Sequence, residues 1–144
     1  MKTLWIEHGD PLMPGWTALR SRVLREPLGL RYSDADFEEE KDDRHLVRVI
    51  DAKVVGGLLV RTRGLPQGVW KSRQFAVDPE YQGKGIGAEL MRFAEATARE
   101  EGVSEFVLHS REGVVGFYEK LGFTTEGERF GEVGIPHRRM RRRL

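Results

Sequence analysis

Three glycines fall within five residues of the stretch AVDPEYQGKGIGAEL, at Gly83, Gly85 and Gly87. A helical pattern follows them at once. The start of a helix has unpaired N–H groups and a partial positive charge, and glycines let a phosphate approach that backbone without a clash with Cβ atoms. A strand followed by QGKGIG and a helix therefore predicts a site that holds a pyrophosphate. The alternative is a glycine-rich connection that binds nothing.

Two common phosphate-binding loops do not fit this stretch. The loop of nucleoside-triphosphate enzymes needs G-x-x-x-x-G-K-[ST], but Asp78 stands at its first glycine position and Gly85 at its Ser/Thr position. A dinucleotide-binding fingerprint is closer, because Gly83, Gly85 and Ala88 satisfy G-x-G-x-x-G/A. That fingerprint also needs a strand directly before the glycines and further β-α-β units after them. The chain does not meet these two requirements.

The elements that must position the loop are predicted from hydrophobic periodicity and turn residues. Strands are predicted over 2–7, 45–51, 54–63, 69–77, 106–110, 123–130 and 135–142. Helices are predicted from Pro14 to Pro27, in a short acidic segment capped by Ser33, over 83–101 and over 114–121. On the helix over 83–101, Phe93 is predicted to face inward and Glu95 outward. This order predicts a mixed α/β layer structure with a central, right-handed β-α-β unit.

Length and composition fit a single domain over residues 1–144. The 24 basic and 23 acidic residues give a net charge of +1, which does not favour a dedicated nucleic-acid binder. The absence of cysteine excludes disulfides and thiolate chemistry, and four scattered histidines do not support a metal site. Because no signal-peptide core or apolar run of about 18 residues is found, we expect a cytoplasmic protein with no membrane segment.

The segment QGKGIG resembles the (R/Q)-x-x-G-x-G/A motif of the GNAT N-acetyltransferase superfamily. As in that family, a strand ending in AVDPEY precedes it and GFYEKLGF follows further along. The resemblance covers residues 54–123, and the segments LRSRVLREPLGL and GEVGIPHRRM look like the small bacterial ElaA-like branch. It implies a GNAT-like fold, which is a mostly antiparallel mixed sheet flanked by helices. It also implies acetyl-CoA as cosubstrate and an amine as acceptor, and it is compatible with a homodimer.

The same resemblance implies which residues bind the coenzyme. The amides of the glycine loop would hold the acetyl-CoA pyrophosphate, and the end of the preceding strand would pair with the pantetheine arm. The residues concerned are Phe75, Ala76, Val77, Gln82, Gly83, Lys84, Gly85, Ile86, Gly87 and Ala88. A backbone N–H near Ala76 or Val77 would stabilise the oxyanion that forms when the amine attacks the thioester.

Two proton transfers need side chains. By the resemblance, Tyr118 in GFYEK would donate a proton to the leaving sulfur, although a tyrosine on this stripe could also be a core residue. The amine must lose a proton, since its unperturbed pKa is about 10. His109, at the end of a strand facing the expected cleft, is the candidate base, because its ordinary pKa is near neutral. Glu132 and His137 are rival candidates.

Two charged runs leave alternatives open. Residues 34–43 hold seven carboxylates, which would either favour a cationic amine or form a solvated face. The C-terminal HRRMRRRL holds five arginines, which would contact the CoA 3′-phosphate, RNA or an acidic partner, or would lie on an edge strand that resists aggregation.

The leading hypothesis is an acetyl-CoA-dependent N-acetyltransferase that acts on a primary amine of a small molecule or peptide. One alternative is a CoA-binding sensor without catalysis. Another is an RNA-associated protein that binds through its arginine-rich end, which would make binding steeply salt-dependent.

Overall fold

The structure, a computed structural model, describes residues 2–144 and contains one seven-stranded sheet with the order β1-β2-β3-β4-β5-β7-β6. The strands are β1 (Lys2–Ile6), β2 (Arg44–Ile50), β3 (Lys53–Arg61), β4 (Val69–Val77), β5 (Glu105–Arg111), β6 (Thr124–Glu132) and β7 (Ile135–Arg143). The helices are α1 (Met13–Arg20), α2 (Asp34–Glu39), α3 (Ile86–Glu100) and α4 (Val115–Lys120). Only β4 and β5 pair in parallel. The predicted mixed fold and its β4-α3-β5 unit are confirmed.

Helices cover both faces of the sheet, because side chains of successive strand residues point to opposite sides. On one face, Trp16 and Leu19 of α1 pack against Val47, Val49 and Val54. On the other face, α3 and α4 cover a larger core, which includes Leu46, Val55, Leu58, Trp70, Phe106, Leu108, Leu90, Met91 and Tyr118.

Gly57 of β3 lies directly under the indole of Trp16. A Cβ atom on Gly57 would come within 2.8 Å of the Trp16 ring and 2.7 Å of the Leu46 carbonyl oxygen. Real Cβ atoms do not approach so closely, and the backbone carbonyl cannot rotate away as a side chain would. Gly57 therefore allows α1 to pack close against the centre of the sheet.

The first helical segment is less regular than the sequence predicts. Periodicity predicts one helix up to Pro27, but α1 ends at Arg20 and continues as a π-helical turn over Ser21–Arg25 and a 3₁₀ turn over Glu26–Leu28. A π-turn breaks the i→i−4 pattern of backbone hydrogen bonds. The carbonyl oxygen of Leu24 accepts a hydrogen bond from Arg111 Nη2 on β5 at 3.0 Å. The π-turn is thereby joined to the sheet.

The start and the faces of α3 also differ from expectation. The helix begins at Ile86 rather than at residue 83, because Gly83 and Gly85 adopt left-handed φ angles of 77° and 80°. The predicted orientations of Phe93 and Glu95 are wrong: Phe93 is 38% exposed and Glu95 only 3%. Glu95 is buried because its carboxylate faces Arg142 Nε of β7 at 3.3 Å, a long-range contact that periodicity cannot show.

The C-terminal strand is not an edge strand. β7 lies between β5 and β6, so the prediction of an edge position is wrong and β6 forms the edge. Its arginines have carboxylate neighbours: Arg139 and Arg141 both pair with Glu126, and Arg141 also pairs with Glu105. In the region 2–144, no helix is both long enough and apolar enough to cross a membrane.

Candidate active site

The parallel strands β4 and β5 separate halfway along their length. They are paired from Val69 with Glu105 to Ser72 with Leu108. Beyond that point β5 continues beside β7, where His109 pairs with Arg139, while the rest of β4 has no partner on β5. The separation opens a cleft of about 500 Å³ between the two strands.

A bulge in β4 lies where the cleft begins. The register with β3 shifts between the pairs Leu59 with Arg73 and Gly57 with Ala76, and Gln74 within the bulge has a φ of 53°. A non-glycine residue in this region costs on the order of 1–3 kcal/mol and persists only where the surroundings hold it. The hydroxyl of Tyr32 donates to Oε1 of Gln74 and helps to hold the bulge.

The end of β4 exposes backbone groups to the cleft. The N–H of Asp78 donates to the Val55 carbonyl oxygen of β3 at 2.8 Å. Because successive N–H groups of a strand point in opposite directions, the N–H of Val77 points away from β3 and that of Ala76 points toward β3. The side chain of Gln82 donates to the Val77 carbonyl oxygen at 3.0 Å, which ties the glycine loop to the strand.

The glycine loop presents the start of α3. The first bond within the helix runs from the N–H of Glu89 to the Gly85 carbonyl oxygen at 3.1 Å. Helix geometry therefore leaves the N–H groups of Ile86, Gly87 and Ala88 without acceptors inside the helix, and the helix dipole adds a partial positive charge there. A Cβ atom at residue 87 would lie 3.1 Å from the ring of Phe117, so the loop is packed closely against α4.

Asp78 holds the turn that precedes the loop. Its side chain accepts a hydrogen bond from the N–H of Glu80 at 3.0 Å and an ion-pair contact from Arg22 Nη2 at 2.8 Å. The hydrogen bond from Glu80, opposed by partial desolvation and helped by Lys53 and Arg22, lowers the pKa of Asp78. The carboxylate therefore stays ionised and keeps the turn in place.

Tyr118 lines the cleft from α4 and is only 7% exposed. Its ring packs edge-on against Phe75 at 6.1 Å, Phe117 at 5.1 Å and Phe123 at 5.8 Å between centroids. Burial raises the pKa of the Tyr118 hydroxyl, because the phenolate would lose its hydration. The hydroxyl therefore remains a proton donor at neutral pH. The residue belongs both to the core and to the lining of the cleft, and its role as a proton donor stays a prediction.

All three candidate bases meet at one end of the cleft. Nδ1 of His109 lies 2.9 Å from Oε1 of Glu132, and Nε2 of His137 lies 3.6 Å from Oε2 of the same carboxylate. Nδ1 of His137 donates to the Ile135 carbonyl oxygen at 2.9 Å. Within residues 2–144, no group of three or more His, Asp or Glu side chains has a geometry that would hold a metal ion.

Electrostatics differ across this group. Burial lowers the pKa of His109, while its hydrogen bond to Glu132 acts in the opposite direction and only partly compensates. For Glu132, burial would raise the pKa, but the hydrogen bond from His109 and nearby positive charges outweigh it and hold the pKa below the usual value. At neutral pH the pair is therefore a neutral imidazole that donates from Nδ1 to a carboxylate.

Positive side chains line the same cleft, and sequence reasoning missed them. They are Arg25, Arg61, Lys71, Arg73 and Arg111. Alternation on β4 could have indicated two of them, since Lys71 and Arg73 are separated by one residue and share a face. Glu132 is the only carboxylate that lines the cleft within residues 2–144.

The seven carboxylates of residues 34–43 lie outside this cleft. Glu40 accepts from Arg20 at 2.9 Å, Asp43 pairs with Arg61 at 2.9 Å, and Glu38 pairs with Lys41. Five of the seven carboxylates pair with basic residues of the protein itself, and none of the seven lines this cleft.

A mixed sheet that separates beside a glycine loop defines the class of acyl-CoA-dependent acyltransferases, and comparisons with known proteins agree. Residues 31–144 match the family model of the acetyltransferase (GNAT) domain. A Bacillus subtilis (strain 168) protein named as an acetyltransferase is 32% identical over 123 residues, covering 83% of this chain and 81% of that protein. The chain belongs to the GNAT family and is an acetyl-CoA-dependent acyltransferase.

Solved structures show the same fold. Escherichia coli ElaA has a TM-score of 0.84 at 20% identity over 98% of both chains, so the predicted likeness to ElaA is confirmed for the fold. An aminoglycoside 6′-N-acetyltransferase complexed with coenzyme A has a TM-score of 0.82 at 16% identity, covering 99% of this chain and 97% of that one.

Proposed function

We propose that the protein transfers an acetyl group from acetyl-CoA to a primary amine of a small molecule or peptide by direct attack on the thioester. The separation of β4 and β5 carries this proposal. A buried protonated tyrosine and a histidine–carboxylate pair line this cleft, and the helix start suited to a pyrophosphate packs against Phe75 of the same lining. The coenzyme A complex of the aminoglycoside acetyltransferase, which shares the fold, supports the coenzyme assignment.

The glycine loop is the proposed pyrophosphate site. Gly83 and Gly85 provide left-handed backbone that other residues adopt only under strain, and the space beside both is open. Together with Lys84, the N–H groups of residues 86–88 provide donors and positive charge. Gln82 fixes this loop to the end of β4.

The pantetheine arm is proposed to run along the unpaired part of β4, over residues 75–77. Val77 offers its N–H to the arm, whereas Ala76 is 3% exposed and directs its N–H to β3. The rings of Phe75 and Phe117, 5.8 Å apart, form an apolar wall beside it. A backbone N–H of this free strand edge stabilises the oxyanion during attack. Of the two residues expected to supply it, this orientation favours Val77 over Ala76.

The chemistry then requires two proton transfers. As the N–C bond forms and the C–S bond breaks, Tyr118 donates its hydroxyl proton to the departing sulfur. His109 takes the proton from the attacking nitrogen, directly or through one water. Since Nδ1 of His109 donates to Glu132, Nε2 is the nitrogen that accepts this proton. Glu132 stabilises the imidazolium that results.

The test is thiol release from acetyl-CoA across a panel of amines, with the acetylated product identified by mass spectrometry. We expect turnover with at least one amine class and its loss in Tyr118→Phe, with coenzyme binding retained. Coenzyme binding without turnover over a broad panel would contradict catalysis and favour the sensor.

A further inference from the structure

We infer that the acceptor amine carries an anionic group, a carboxylate or a phosphate, which binds the positive side chains of the cleft. This inference rests on the proposed function and names the substrate class of the same site. The side chains are called the cationic wall below and comprise Arg25, Arg61, Lys71, Arg73 and Arg111.

The cationic wall lies on the same face of the sheet as the candidate base. Arg61 of β3 pairs with Lys71 of β4, and Arg73 follows Lys71 on the same side of the strand. Trp70 and Leu108 belong to the core under α3, so their neighbours Lys71 and His109 point to the opposite face. An amine bound beside His109 therefore lies on the same face of the sheet as these charges.

Two members of the cationic wall are only partly compensated: Glu132 acts on Lys71, and the carboxylate of Glu40 acts on Arg73. Nη1 of Arg73 is buried and has no hydrogen-bond partner within residues 2–144. Burial lowers the pKa of Lys71, and the neighbouring charges of Arg73, Arg139 and Arg61 lower it further against the opposing effect of Glu132. A buried guanidinium donor without an acceptor is unfavourable, and an anionic ligand would supply the acceptor.

Not every member of the cationic wall is equally available. Arg61 pairs with Asp43 at 2.9 Å, and Arg111 donates to the Leu24 carbonyl oxygen at 3.0 Å. Glu132 is shared between His109 and His137. The guanidinium of Arg25 lies over the Tyr32 ring at 4.9 Å. Lys71 and Arg73 are therefore the two side chains that we assign to the anionic group.

These two cations line a different part of the molecule from the site assigned to the pyrophosphate of the coenzyme, since none of residues 82–88 lines the cleft. That group is assigned to the glycine loop, which follows Val77. From Lys71 and Arg73 to Val77 the strand advances six and four residues, or at most about 20 Å and 13 Å at roughly 3.3 Å per residue. The cationic wall therefore belongs to the acceptor side of the cleft.

The same charges select among amines. A substrate that carries further ammonium groups, such as a polyamine, is repelled by the cationic wall. The positive field also disfavours the protonated form of the attacking nitrogen, which raises the fraction of neutral, nucleophilic amine. An anionic group both balances the cationic wall and positions the amine near His109.

The test uses pairs of amines that differ only in charge: O-phosphoethanolamine against ethanolamine, and glycine against glycinamide. We expect kcat/KM to be about tenfold or more higher for an anionic member, since hydrogen bonds to charged groups are strong. The pair of amines with the larger ratio of kcat/KM, anionic member over neutral member, shows whether the site prefers a phosphate or a carboxylate. Equal kcat/KM values within both pairs would overturn the inference and leave the acetyltransferase proposal intact.

Substitutions in the cationic wall test which side chains bind the anionic group. Lys71→Gln and Arg73→Gln are expected to raise KM for the preferred anionic amine by about tenfold or more, with little change for its neutral counterpart. The matched control is Arg63→Gln, because Arg63 is exposed and lies outside the cleft beside Asp42. Equal thermal stabilisation by CoA in every variant shows that the fold is kept. A parallel loss for charged and neutral amines would contradict anion recognition.

A binding experiment tests the anion site if no amine is acetylated. If no amine is acetylated, the proposed function fails, and O-phosphoethanolamine and glycine are titrated calorimetrically into the protein with saturating CoA. Binding that is lost in Arg73→Gln retains the anion site, whereas no binding of either compound overturns it.

Discussion

Nδ1 of His109 and Oε1 of Glu132 lie 2.9 Å apart across the width of a strand, since β7 separates β5 from β6. The contact orients the imidazole and supplies a negative charge next to it. Burial nevertheless keeps the pKa of His109 below its ordinary value of 6.5. Because these two effects act in opposite directions on the pKa of His109, the decrease of the rate at low pH measures how strongly Glu132 affects that pKa.

We expect kcat/KM to decrease as the pH falls through a pKa below 6.5, because protonated His109 cannot accept the proton of the amine. In Glu132→Gln this decrease should move to lower pH, since the imidazolium loses its stabilising carboxylate. In His109→Asn it should disappear, together with most of the rate. Steady-state kinetics from pH 5 to 8 measures all three.

The control is His8→Asn, because His8 is exposed and does not line this cleft. If the decrease of kcat/KM at low pH remains in His109→Asn and disappears in His137→Asn, His137 is the base.

Tyr118→Phe should lower kcat by about 10²-fold with little change in the KM for acetyl-CoA, because the hydroxyl acts mainly as the thiolate leaves. The ring and its packing remain. An acetyl thioester of a more acidic thiol needs less protonation, so the same substitution should cost less with that donor. A penalty that is independent of the leaving thiol would contradict the role of Tyr118 as a proton donor.

Two glycines at opposite ends of α3 make a matched pair. Gly85 and Gly102 both have φ of 80°, and no atom lies within 4 Å of a Cβ at either position. Alanine should therefore destabilise both variants similarly, by about 1 kcal/mol. Only Gly85→Ala should weaken CoA binding in calorimetry. Equal affinities in the two variants would show that the glycine loop does not hold the pyrophosphate.

His45 predicts a pH dependence of stability. It is 2% exposed, and its Nδ1 accepts from Trp16 Nε1 at 3.0 Å, so the neutral ring carries its proton on Nε2. Burial, together with the charge of Arg20, lowers its pKa to about 4. Between pH 6.5 and pH 4 the unfolded chain binds a proton that the folded protein does not, so stability decreases as the pH falls.

The expected loss over this window is roughly 3 kcal/mol. His45→Asn keeps an acceptor for the indole but does not titrate. Urea unfolding at pH 7 and pH 4.5 should therefore show a smaller loss in the variant than in the parent. Identical losses would exclude His45 as the titrating group.

The pair of Arg20 and Glu40 is buried, with side chains 1% and 6% exposed and Nη1 at 2.9 Å from both carboxylate oxygens. The guanidinium also lies over the Trp16 ring at 5.0 Å. Arg20→Met or Glu40→Gln should each cost about 3–5 kcal/mol, because the remaining partner is left buried and uncompensated. The double variant should cost less than the sum of the single costs, as measured by urea unfolding.

The exposed pair of Glu38 and Lys41 gives the comparison. Its removal should cost much less than removal of the buried pair, because solvent screens the attraction between exposed charges. Additive costs in the Arg20 and Glu40 cycle would contradict direct coupling.

Much of the fold is predictable because local rules decide it. The apolar run of residues 54–60 predicts β3, which is buried over that whole range, and the left-handed glycines Gly83 and Gly85 mark the loop before α3. The exact faces of α3 are not predictable in this way. Glu95 is buried because an arginine 47 residues later in the chain reaches it, and no local pattern carries that information.

In the candidate site, too, some features follow from local sequence and others depend on contacts between distant segments. The motif that contains Tyr118 and the strand end that carries His109 predict the location of both residues at the cleft. The bulge at Gln74 and the cationic wall depend on how three strands register against one another, which a single sequence does not specify. The inward position of the arginine-rich β7 likewise depends on its ion pairs with Glu126 and Glu105.

The separation of β4 from β5 also divides the sheet mechanically. Strands β1–β4 form one sheet segment and β5, β7 and β6 another, joined by the parallel pairs from Val69 to Ser72. A ligand that bonds along the open half would connect the two segments. Deuterium uptake at the backbone amides of the paired residues, 69–72 and 105–108, should then slow when the coenzyme is bound. None of these amides contacts the coenzyme.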